Sequence, residues 1–353
     1  MNNTFLAFCI FIIILFFYIH ITAQWKTSDD LEIYETDFES ASQLQEVCAV
    51  RQPVVFKFRN DQTPLERFQA AKFEKYDNLD IRVKDRTDYA SASHTNDNET
   101  SIDNVLLTFR SARRLFATDT NAKYFSEKNQ SFLEESGLDR IAKTMDAHLK
   151  PPLSAYAKYD LLIGSPLVTT PLRHHLESHF FIAVTRGKIN VKICPPKYSK
   201  IIPTVKDYEN YEFWSPLNPY SNKPDQKHKD VLQKIKFLDI EVNSGDILFL
   251  PPYWWYSISF SGDPETTVAT FTYDVAMNIA AQSKHWGLYY LQQSNIKTRP
   301  AKIIRALDSE KEEEVNNENK NEDKDREAEN ISTSQPAKRE IVTNAGIYVT
   351  GEK

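Results

Sequence analysis

The sequence predicts an α+β domain with a mainly β core, a small barrel of short strands flanked by helices and preceded by one membrane helix. Three observations carry this expectation. An uncharged apolar run opens the chain at Phe5 to Ile21, two segments with helical spacing follow, and beyond residue 159 come apolar or alternating stretches punctuated by Gly and Pro.

The opening run, FLAFCIFIIILFFYIHI, is seventeen residues long, at the lower edge of what spans a bilayer. It is either a signal anchor that stays or a signal peptide cut after Ala23, where Thr22-Ala23-Gln24 offers a small residue. Retention is the favoured reading, because the run exceeds a usual signal core and no Lys or Arg precedes it. Lys26 is the only basic residue close behind, so the positive-inside rule leaves the orientation open. Sequons at Asn98 and Asn129 fit a lumenal or external domain.

From Ser40 the spacing of Leu44, Val47 and Cys48 predicts a helix, and Pro53 starts the strand Val54-Val55-Phe56. The polar stretch Asp85 to Asp103 reads as a surface loop. Leu138, Ile141, Ala142, Met145 and Leu149 predict a second helix, stopped by Pro151-Pro152. Tyr159 to Ile163 and Phe180 to Val184 read as strands, and Ile189, Val191 and Ile193 alternate with polar residues; Thr185-Arg186-Gly187-Lys188 reads as the hairpin joining the last two. Residues 195–236 have no sustained period and read as a long insertion over the barrel mouth. Val242 to Phe249 and Val268 to Tyr273 complete the strands, and Val275 to Gln293 returns to helix with Trp286, Tyr289 and Tyr290. The expected layout is an anchor over residues 1–24, a linker over 25–39, the domain over 40–307, and a charged, disordered tail over 308–353.

Composition narrows the function. A net charge of -6 with no basic cluster argues against nucleic acid as a partner. Three cysteines, Cys9, Cys48 and Cys194, exclude a disulfide scaffold. Oligomeric state is not legible.

Two motifs carry a resemblance. TTPLRHH…HFFIAVTRGKINVKICPP, followed by GDILFLPPYWWYSI, resembles the cupin-like JmjC family of Fe(II)- and 2-oxoglutarate-dependent oxygenases, in the style of its asparaginyl hydroxylase branch, over roughly Val47 to Asp274. The resemblance implies a double-stranded β-helix, a jelly-roll-like barrel in which two histidines and a carboxylate hold the iron. The family's first His position holds Arg173, its acid position holds His175, and its distal His position holds Tyr256. Arginine has no lone pair to donate and a neutral phenol is a poor ligand for Fe(II), so the ordinary iron site is not expected. On the co-substrate side the resemblance implies Thr170 and Lys188 as carboxylate contacts, His179 in place of a helping Asn, and Tyr124 as an upstream partner. His175, Glu177 and His179 are alternative metal ligands, since a spacing of two puts them on one face of an uninterrupted strand. The family pattern instead puts a turn near Leu176 to Ser178. His174 should point the opposite way from His175, to the surface. Trp254 and Trp255 read as barrel-wall aromatics.

The expected function is a single-pass, membrane-anchored and catalytically degenerate domain, a binding or assembly module with no resident cofactor, whose partner is a small carboxylate or a protein. The alternative is an active Fe(II)/2-oxoglutarate-dependent protein hydroxylase of atypical ligation. A third reading is a purely structural membrane-associated protein.

Overall fold

The computed structural model describes residues 3–58, 64–69, 71, 73–91, 102–222, 224, 226–295, 341–342 and 348–349. The sequon at Asn98 and the expected disordered tail lie outside the described residues except for two short segments of the tail, Ile341–Val342 and Tyr348–Val349, which pair as antiparallel strands.

The apolar run forms α1 (Asn3–Gln24), about 33 Å long at 1.5 Å per residue, with no buried residue. By length and composition it can cross a membrane, a measure that a signal sequence near an N-terminus also meets. β1 (Tyr34–Phe38) then runs parallel to β2 (Val54–Phe58), so part of the expected linker is a strand of the domain. Between them lies α2 (Ala41–Ala49), where the Ser40 hydroxyl caps the helix by accepting the Gln43 N–H. Next come α3 (Pro64–Gln69), β3 (Asp80–Asp85), α4 (Arg86–Ser91), β4 (Val105–Thr108), α5 (Phe109–Thr118) and β5 (Tyr124–Ser126). The expected polar loop after Asp85 therefore begins as helix α4, whose Tyr89 is buried. The second expected helix divides into α7 (Leu138–Thr144) and α8 (Asp146–Leu149), preceded by α6 (Gln130–Ser136).

The strands that follow are β6 (Ser154–Gly164), β7 (Leu172–His174), β8 (His179–Arg186), β9 (Lys188–Cys194), β10 (Val205–Asp207) and β11 (Glu212–Ser215). After α9 (Gln226–Leu232) come β12 (Leu238–Asn243), β13 (Asp246–Leu250), β14 (Trp255–Phe260) and β15 (Thr267–Val275), then α10 (Ala276–Ala281) and α11 (Ser283–Asn295). They build two sheets, one ordered β1-β2-β13-β8-β15-β6-β5-β3-β4 and the other β10-β11-β7-β14-β9-β12.

Side-chain alternation sorts the core into layers. In β8 and β13, Ile182, Val184, Leu248 and Leu250 join Val191, Ile193 and Ile258 of the second sheet, while Phe181, Ala183, Ile247 and Phe249 pack outward with the helices. These strands are covered on both faces, which explains the continuous apolar run at 180–184. The outer face of the second sheet is closed by Leu172, Cys194 and Trp255 under Ile202, Leu217 and Ile235. Trp254 and Trp255 are both fully buried, as expected of wall aromatics.

Two sequence expectations give way here. β8 and β9 are not a hairpin: β8 pairs with β13 and β15 in one sheet, and β9 with β12 and β14 in the other. Gly187 is the corner between sheets, with φ +72°, and a Cβ there would lie 2.5 Å from Thr266 Oγ1 and 3.1 Å from Thr266 Cα. The expected strand Val242 to Phe249 is likewise split between the sheets at Ser244-Gly245. The expected insertion over 195–236 contributes two strands to the second sheet, β10 and β11.

Candidate functional site

A cavity of about 820 Å³ opens between the two sheets. β6 and β15 line one wall with Lys158, Asp160, Thr270 and Thr272; β7, β11 and β14 line the other with Arg173, Glu212 and Tyr256. Trp286 and Tyr289 of α11 stand at its rim with Tyr211, whose ring stacks on Trp286 at 4.8 Å.

The floor is a buried ionic network. Lys84 Nζ donates to Glu127 Oε1, Glu212 Oε1 and the Tyr89 hydroxyl, each at 3.0 Å. The other Glu127 oxygen receives Arg173 Nη1 at 2.7 Å, and Lys128 pairs with Glu212 while donating to the Asn210 carbonyl at 2.8 Å. Lys84 is 1% exposed and Glu127 2%, so each charge depends on its partners for stability. Burial works against the Lys84 ammonium, but Glu212, Tyr89 and Glu127 outweigh it and hold its pKa well above the usual lysine range. Burial also disfavours the Glu127 carboxylate, and Arg173 and Lys84 more than offset this, so its pKa is lowered. For Lys128 burial wins, bringing its pKa down to about 8.

No motif announced this network. Lys84 sits in β3 opposite Ile81 and Val83, which pack on the helices, and such a position ordinarily reads as solvent-facing. Here that face looks into the space between the sheets. Glu212 belongs to the stretch without periodicity, and Glu127 directly follows β5.

The residues singled out from sequence divide between the central cavity and several separate places. Arg173, His175, Glu177 and Tyr256 line the cavity, Arg173 lying 5.5 Å from the Tyr256 ring centroid. His175 packs on Phe180 at 4.7 Å, and neither ring nitrogen makes a hydrogen bond of normal geometry. Burial, with His174 and Arg173 adding, lowers its pKa to about 3, so it is a neutral imidazole. His174 is not on the surface: it points away from His175, yet Phe213 stacks on it at 5.4 Å and Trp255 meets it at 4.6 Å.

The remaining residues lie elsewhere. Thr170 is buried, its hydroxyl accepting the Ile258 N–H at 2.9 Å as part of the sheet junction. Lys188 is exposed at the start of β9 and pairs with Glu241 at 3.1 Å, because alternation sends Ile189 inward instead. His179 bonds Ser178 at 3.1 Å and lines a second cavity near α1, and Tyr124 packs in the helical layer. The four co-substrate positions therefore do not converge. Nor do His175, Glu177 and His179 share a strand face, since β7 ends at His174, β8 begins at His179, and the chain bends between them. Asn129, the described sequon, is buried, with Nδ2 donating to Ser126 and Leu161 and Oδ1 accepting from Arg82, which leaves no room for a glycan.

The model of the cupin-like domain matches residues 40–279. The chain belongs to the cupin-like domain family. The match takes in the strands from β2 to β15 and the walls of the central cavity, and leaves β1 and α11 outside it. No curated protein matches the chain.

The chemistry of Arg173, His175 and Tyr256 does not fit the metal that the resemblance to the oxygenases implies at these positions. Arg173 has no lone pair and is held by Glu127. Burial pushes the Tyr256 phenol up to about 12 despite Arg173 nearby, so it stays protonated. His175 alone remains, and among the described residues no three His, Cys, Asp or Glu side chains cluster as a metal site.

Proposed function

We propose that this is a membrane-anchored cupin-like domain without oxygenase chemistry, whose central cavity serves as a binding or assembly module. The carrying observation is the Arg173–Glu127 ion pair at 2.7 Å, which occupies with an internal cation a position that the resemblance assigns to a metal ligand. In this reading the two-sheet cupin-like core is retained and the charge network serves where an ion would otherwise be held. Ligands bearing a carboxylate are the class to try first, because Arg173 Nε is buried, lines the cavity with the rest of the guanidinium, and lacks an acceptor. The anchored part of the reading is supported by α1, which is long and apolar enough to cross a membrane, and by its attachment to the domain: Arg51 Nη1 donates to the Gln24 and Lys26 carbonyls at 2.7 and 2.9 Å, and Trp25 Nε1 to the Ala281 carbonyl at 3.3 Å.

Anaerobic titration of the purified full chain with Fe(II) and with 2-oxoglutarate tests the reading, alongside a succinate assay. The expected result is no Fe(II) binding and no succinate, with dicarboxylate binding lost in Arg173→Met. Tight Fe(II) binding with 2-oxoglutarate turnover would replace it by the active hydroxylase.

A further inference from the structure

A second cavity, about 660 Å³, lies where α1 ends against the domain. Its described lining brings together Lys26, Arg51 and His179 with Val50, Pro151 and Pro152, and includes no Asp or Glu. That bias is unusual in a chain with net charge -6, and it contrasts with the central cavity, where Glu127, Asp160, Glu177 and Glu212 answer the cations. The nearby carboxylates lie outside the lining and are engaged by neutral or backbone donors: Asp29 accepts the Lys197 N–H at 3.0 Å, Asp30 accepts from Gln52 and from Ser28 of the lining at 3.4 Å, and Asp274 accepts the Ser178 N–H at 3.2 Å. Arg51 is half-buried and bonds only neutral oxygens, those of Gln24 and Lys26, and burial lowers its pKa. Lys26 forms no ion pair among the described residues. The C-terminal dipole of α1 answers part of one positive charge, which leaves Lys26 and Arg51 with no carboxylate in the cavity lining to pair with directly.

Its position says which anion. Ala23 and Gln24, the last residues of α1, form one wall, so in an anchored chain the cavity sits at headgroup depth. Around it Trp25, Val50 and Leu153 are 53%, 60% and 88% exposed, apolar side chains suited to the bilayer interface. We propose that this juxtamembrane cavity binds the phosphate of an acidic phospholipid headgroup through Lys26 and Arg51, with His179 as a hydrogen-bonding neighbour and Val50, Pro151 and Pro152 against the glycerol end. The proposal rests on the anchored reading of α1.

The test uses the full chain in nanodiscs of phosphatidylcholine with a minor share of phosphatidylglycerol, extracted into neutral detergent and weighed by native mass spectrometry. One phosphatidylglycerol retained per chain is the expected result. Retention should fall about fivefold in Lys26→Ala, as one juxtamembrane charge is removed. It should also fall at least fivefold in Ala49→Trp, which fills the cavity at an exposed lining position and keeps every charge, with the unfolding temperature unchanged in both variants. Absence of retained acidic lipid on an intact chain, or retention indifferent to both variants, overturns the proposal while leaving the anchored reading standing. Binding of sn-glycerol 3-phosphate or inorganic phosphate without lipid retention overturns the lipid assignment in favour of a soluble phosphate. A purified chain beginning after Ala23 overturns the anchored reading and this one together.

Discussion

Replacing Glu127 by Gln keeps the shape of the side chain and removes the charge that two buried cations share. Glu127 meets Arg173 at 2.7 Å and Lys84 at 3.0 Å. At an effective dielectric of about 20 each contact is about 6 kcal/mol of gross attraction. Repulsion from Glu212 and the desolvation of all partners reduce this, and breaking a buried pair from one side costs about 3–5 kcal/mol. Lys84, Lys128 and Arg173 would then have only Glu212 among them. For a domain of this size the loss corresponds to an unfolding temperature lower by about 6–20 °C. Removing the cation as well, in Glu127→Gln/Arg173→Met, relieves part of the imbalance, so the double variant should be more stable than the sum of the singles by about 2 kcal/mol. Thermal and urea unfolding of the full chain in detergent measure all four corners of this cycle. A Glu127→Gln cost below about 1 kcal/mol, or simple additivity, would refute the view that these charges hold one another inside the sandwich.

Two further outcomes follow from the same packing. Burial, helped by nearby cationic groups, lowers His174 and His179 to about 4 and His175 to about 3, so the unfolded chain takes up protons first as pH falls below about 6.5. Their stability contribution is full above that value and lost toward pH 4; Asp274, raised to about 6 by burial, opposes them, and the unfolding free energy from urea titration should still drop between pH 6.5 and 4.5, by an amount on the order of 2–5 kcal/mol, whereas a flat profile would contradict the burial of these histidines. Gly187→Ala should cost about 1–3 kcal/mol in thermal unfolding, since the corner needs a positive φ and the new methyl meets Thr266; an indifferent variant would mean that the crossing between sheets can shift.

Much of the fold was visible in local pattern. The Ser40 cap, the strand after Pro53, the doubly buried β8 and the alternation in β9 were readable because period and cap chemistry act over a few residues. Strand partnership was not readable in the same way. A short turn containing Gly looks alike whether the next strand lies beside the last or across the sandwich, which is why β8 and β9 read as a hairpin. The break at Gly245 was hidden for a similar reason: β12 and β13 are both apolar enough to pass for one strand.

The candidate site divides along the same line. That Arg173 and Tyr256 are unsuited to hold a metal follows from their own chemistry, and the sequence alone determined it. It also determined the apolar helix at the start of the chain and the motifs that carry the family resemblance. Only the tertiary structure decided what Arg173 does instead, because Glu127, Lys84 and Glu212 lie far apart along the chain and meet only when β3, β5 and β11 are brought around β7. It alone turned Lys188 outward and His179 toward the foot of α1, since the side a residue faces depends on which sheet has received its strand.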